Sequence, residues 1–168
     1  SLHANSLSLV FSTSYPNNPA SMFGHTFLRI NQTDQKFDLL DYALSYQADV
    51  DPNDPGLFHA YKGIFGLYSG VFVLNKYYEK VNEYVHGESR DLIEYDLTIS
   101  SQEVQQILNH YWELYSASSF DYYFFNSNCA SMLGELLELV RPEWNLSKSQ
   151  NFYYMPSELV RRLNLIPG

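Results

Sequence analysis

Apolar positions along the chain alternate between a period of two and a period near 3.6, and each switch marks a new element. Ser6–Ser12 (SLSLVFS) sets Leu7, Leu9 and Phe11 at every second position, which predicts a strand. The turn-rich TSYPNNPASM then leads to Gly24 and a second strand, HTFLRI. There Phe27 and Arg29 share the face of His25, while Thr26, Leu28 and Ile30 take the other. Asn31–Lys36 is a polar turn, and Phe37–Tyr46 (FDLLDYALSY) is the expected hairpin partner. GIFGLYSG, residues 63–70, predicts a bend with close backbone approach, leading into the apolar run Val71–Leu74.

The second half is mainly helical. Asn75–His86 predicts a short helix with Tyr78, Val81 and Val85 on one side, and Arg90–Thr98 a strand with one buried face. Ser100 and Glu103 form a capping box ahead of a helix striped by Val104, Ile107, Leu108, Tyr111 and Tyr115. The aromatic run Phe120–Phe125 then reaches Asn126, Ser127 and Asn128, residue types that cap helices. Met132, Leu133, Leu136, Leu137 and Val140 form the buried stripe of the next helix, which Arg141-Pro142 ends. A last helix starts near Pro156 and runs to about Leu163. The pattern predicts one α+β domain over residues 1–168, a mainly antiparallel sheet packed against helices.

A chain of 168 residues with net charge −9 is a poor match for nucleic acid or for electrostatic docking on anionic lipid. Its 15 Tyr and 11 Phe suit amphipathic partners such as sugars, lipid headgroups or proteins. The acidic loop Asp49–Pro55 (DVDPNDP) has two prolines and lacks the terminal Glu of a calcium loop, so neither metal nor cofactor is expected.

The single cysteine, Cys129, stands at the start of its helix, near the positive end of the macrodipole. That position favours the nucleophilic thiolate, although free cysteine is also among the most buried residue types. A thiol nucleophile needs a base, and His25 is the best placed of five histidines. Asp41 is the first choice to orient the imidazole, with Ser45 and Tyr46 behind it. The Cys129 backbone N–H would head an oxyanion site, with a polar group from Ser12 to Tyr15. Tyr15, Ser45, Tyr46 and Asn128 are thus the expected substrate-side residues.

GHTFLRI, LLDYALSYQA, GIFGLYSG, ESRDLIEYDL and YYFFNSNCASML, in this order, resemble the Lnb N-terminal periplasmic domain family of bacterial lipoprotein N-acyltransferases. The resemblance implies a circularly permuted papain-like (NlpC-type) fold, in which the histidine strand precedes the cysteine helix. It implies Cys129 as nucleophile and His25 as base, with Asn128 similar to the Asn-Cys pair of the acyltransferase branch. It also implies a periplasmic setting at a membrane surface, a phospholipid acyl donor and a lipoprotein acceptor. A cell-wall amidase or peptidase would use the same pair with water as acceptor, and a binding module would keep the fold with an inert cysteine. Peptide release from peptidoglycan separates the first of these, and thiol alkylation at pH 6 the second.

Overall fold

The computed structural model describes residues 4–16, 22–33, 36–51, 61–117, 120–123, 125, 127–147 and 153–166. His3, His59, Asn126 and most of the acidic loop (52–55) lie outside them. Six strands form one antiparallel sheet: β1 (Ala4–Ser12), β2 (His25–Gln32), β3 (Tyr42–Ala48), β4 (Tyr68–Lys76), β5 (Leu92–Asp96) and β6 (Phe120–Tyr122). Their order is β5-β1-β2-β3-β4-β6, so the two strands nearest the predicted chemistry, β2 and β3, lie at the centre.

The pleat of β2 sorts its side chains onto two faces as the alternation predicted. Leu28 and Ile30 join Leu7, Leu9 and Leu44 in the main core. Helices α2 (Ser101–Ala117), α3 (Cys129–Glu138) and α4 (Pro156–Leu163) lie with that core, through Val104, Ile107, Leu133, Leu137 and Leu159. The capping box forms, with the Ser100 N–H and hydroxyl both donating to Glu103 at 2.7 Å. Of the expected α2 stripe only Tyr115 is exposed.

Val10, Phe27 and Ala43 point to the opposite face, where α1 (Tyr77–Val81) and a following π-turn (Asn82–Gly87) cover them. Here the pattern misled. Tyr78 and Val85 are exposed, and Tyr77, Lys80 and Tyr84 are the buried residues. The two tyrosines reach Phe27, with ring centroids 6.2 and 6.1 Å away, and that cross-sheet packing rotates the helix relative to its own apolar stripe.

The hairpin partner also begins later than predicted, at Tyr42. Asp38–Leu40 forms a 3-10 turn with Leu39 and Leu40 exposed. Asp41, at its end, accepts from Arg29 Nε and the Gln32 N–H, both at 3.0 Å. That pair of hydrogen bonds fixes the corner more firmly than two leucines could bury themselves at a sheet end. Arg90–Thr98 supplies only the five-residue edge strand β5, whose Ile93 remains exposed. In the 63–70 bend, Gly66 has φ +67° and backs onto the Tyr123 ring, so this turn is held against the segment entering α3.

Candidate functional site

Cys129 opens α3, and Asn128 is its cap. The Asn128 amide oxygen accepts from Ala130 N–H at 3.0 Å and Ser131 N–H at 3.3 Å, and its Nδ2 donates to Tyr154 O at 2.7 Å. A reciprocal bond from Asn128 N–H to Ser131 Oγ completes a capping box. Asn128 therefore sets the helix start and ties it to the strap leading into α4. Its side-chain oxygen, expected on the substrate side, points into the helix.

The Cys129 sulfur is enclosed, with 2% of the residue exposed. Thr26 and the helix-start N–H groups of Ala130 and Cys129 lie near enough to favour its charged form, although the Thr26 hydroxyl has no hydrogen-bond partner among the described residues. Burial outweighs them and raises the thiol above its ordinary 9.0. The macrodipole expectation is thus corrected: the resting group is a protonated thiol beside groups that favour its anion.

His25 follows Gly24, whose φ of +85° and close approach to Phe11 leave no room for a Cβ. The imidazole lies against Phe27 and Tyr84, centroids 6.3 and 6.1 Å away, and Nε2 is enclosed with no hydrogen-bond partner among the described residues. Burial, then the cations of Lys80 and Arg90, lower its pKa from 6.5 to about 3. Cys129 and His25 therefore both lie at the start of β2: the thiol is beside Thr26, and the imidazole belongs to the residue before it. Tyr84 links the two, because it packs on His25 and its phenol is pushed up in part by Cys129.

Asp41 is not with them. It stands at the far end of β2, paired with Arg29, which also meets Glu94 at 2.6 Å and Asp38 at 3.3 Å. Arg29 is four residues from His25, roughly 13 Å along a strand. The β2–β3 pairing runs from Leu28↔Leu44 to Ile30↔Tyr42, and the strand partner of His25 is Ser12 on β1. Ser12 and Ser45 are both buried, with hydroxyls unpartnered among the described residues. Tyr46 is a core residue packed on Phe72 and Tyr122, its phenol raised to about 12 mainly by burial. Tyr15 is partly exposed in the loop after β1.

A cleft of about 390 Å³ opens beside this region, lined by Phe11, Thr13, Ser14, Met22, Phe23, Met155 and Ser157. Phe23 is two residues from His25 and packs on Phe125, and Met155 adjoins the Tyr154 carbonyl that Asn128 holds. A larger cleft of about 440 Å³ lies by β5, between Tyr95, Arg141 and Leu163, and includes none of the site residues. Among the described residues no three His, Cys, Asp or Glu side chains gather where a metal ion could be held.

A profile of the Lnb N-terminal periplasmic domain matches residues 1–165. The chain belongs to that family. No curated protein and no solved structure matches it. No described helix is long and apolar enough to cross a membrane. Within this Lnb N-terminal domain the sequence pointed to Cys129, His25 and Asn128. It missed Thr26, Tyr84, Lys80 and Arg90, which reach the site only through tertiary packing.

Proposed function

We propose that this domain is a periplasmic thiol acyltransferase of permuted papain-like architecture, with Cys129 as nucleophile and His25 as general base. The observation that carries the reading is a cysteine enclosed at the first position of a capped helix, with Thr26 of the histidine-bearing strand beside it. The order of a histidine strand before the cysteine helix, in a member of the Lnb family, supports the architecture.

Because the resting thiol and imidazole are both neutral, attack is coupled to proton transfer instead of starting from a preformed ion pair. Sγ bonds to the acyl carbon of a phospholipid ester as its proton passes to His25. The carbonyl pair moves to oxygen, then returns to expel the lysophospholipid alkoxide, which takes the proton. The thioester next transfers its acyl group to an amine, that of a lipoprotein N-terminal cysteine. The cleft of Phe11, Met22, Phe23 and Met155 is apolar enough to receive a chain.

Intact mass after incubation with diacyl phospholipid vesicles tests the reading. A hydroxylamine-labile increment of one acyl chain is expected, absent in Cys129→Ala; acyl transfer that survives Cys129→Ala sinks it. The buried, protonated thiol also favours a second reading, a binding module with an inert cysteine. In that case no increment forms in either protein. Release of peptides from peptidoglycan would instead favour water as acceptor.

A further inference from the structure

Strand β5 closes one end of the sheet, and no described strand pairs with its outer side. On its inner side the Thr13 N–H donates to Asp91 O and the Leu97 N–H to Leu7 O, both at 3.0 Å, in step with the register Leu9↔Tyr95. Asp91, Ile93, Tyr95 and Leu97 therefore turn their backbone N–H and C=O groups to β1, and Leu92, Glu94 and Asp96 turn theirs outward. Side chains alternate between the two faces of the strand. Tyr95 and Leu97 face the main core, where they line the cleft of about 440 Å³ with Arg141, Trp144, Leu163 and Ile166. Glu94 and Asp96 lie on the other face and are exposed. Asp96 accepts from the Ser8 hydroxyl, whereas Glu94 shares the single cation of Arg29 with Asp38 and Asp41, which leaves this face acidic.

An edge strand with outward-facing amides beside an apolar cleft is the geometry in which an extended peptide adds as one more strand. Added antiparallel, like every other strand of this sheet, the peptide alternates its side chains. Those level with Tyr95 and Leu97 enter the cleft, and those level with Glu94 and Asp96 meet the carboxylates. We propose that the outer edge of β5 and this cleft bind an extended polypeptide segment in which large apolar residues alternate with Lys or Arg. A second copy of the chain is the poorer occupant, because pairing β5 with itself sets the carboxylates of Glu94 and Asp96 against one another. The proposal goes beyond the acyl-transfer reading and does not depend on it.

The probe is a short fluorescein-labelled peptide of alternating Leu and Lys, titrated against the whole chain by fluorescence anisotropy. With leucines in the cleft, the lysine amides face β5 and the leucine amides face water. N-methylation at the lysines is expected to weaken binding by about 10-fold or more, and N-methylation at the leucines by less than about twofold. Hydrogen exchange at the Leu92, Glu94 and Asp96 amides should slow on binding, while that at Ile93 and Tyr95, already bonded to β1, stays as it was. Asp96→Lys, on an exposed position, should weaken binding about fivefold. No binding, equal effects of the two methylation patterns, or unchanged exchange at the three outward amides overturns the proposal. So does equal affinity for a scrambled peptide of the same composition, which would mean charge attraction without strand addition. Protection of the same amides that grows with protein concentration in the absence of peptide would assign the edge to a second copy and overturn it as well.

Discussion

The enclosed Nε2 of His25, without a hydrogen-bond partner among the described residues, has a thermodynamic consequence that can be measured without a substrate. Its pKa is lowered from 6.5 to about 3, first by burial and then by Lys80 and Arg90. The folded state therefore binds fewer protons than the unfolded state between these two values. Stability from this group is fully present above pH 6.5, falls as pH drops, and is fully lost only below about 3. At pH 5 the unfolded imidazole lies about 1.5 units below its pKa and the folded one is still neutral. At about 1.36 kcal/mol per unit, folding loses about 2 kcal/mol relative to pH 8. The perturbation is His25→Gln, which removes the titration and keeps a polar side chain of similar size. Urea unfolding of both proteins at pH 8 and pH 5 should show the wild type losing about 2 kcal/mol more than the variant. Acidic groups elsewhere contribute equally to both and cancel. Equal losses would mean that His25 titrates normally, and the account of a neutral, enclosed base would be wrong.

Three further substitutions test the framework that holds the site. Arg29→Ala leaves Asp41 buried without its cation and should cost about 3–5 kcal/mol in urea unfolding, whereas loss of one of several surface ion pairs would cost under 1. Gly70→Ala places a Cβ into Tyr46 Oη, on a ring already held by Phe72 and Tyr122; about 1–3 kcal/mol of destabilisation is expected, with unchanged stability refuting the contact. Asn128→Ala removes the cap of α3 and the brace to Tyr154, which should lower stability by about 1–2 kcal/mol and speed hydrogen exchange at the Ala130 and Ser131 amides.

Local signals were sufficient for much of this protein. The alternation in HTFLRI assigned each residue of β2 to its face, because side chains on a strand have no other choice. The Ser100–Glu103 box and the Asn128-Cys129 start were legible because a cap depends on residues within one turn. Long-range partners were not legible in this way. Asp41 stood in the right block for an orienting carboxylate, but pairing register set it opposite the far end of β2, where Arg29 claims it. Which side of α1 is buried was decided by Phe27 across the sheet, not by the helix's own stripe. The sequence alone determined an α+β domain with a cysteine at a helix start and a histidine at a strand start. Only the tertiary structure decided their charge, because desolvation depends on everything packed around a group, and here it outweighs the dipole and keeps both thiol and imidazole neutral.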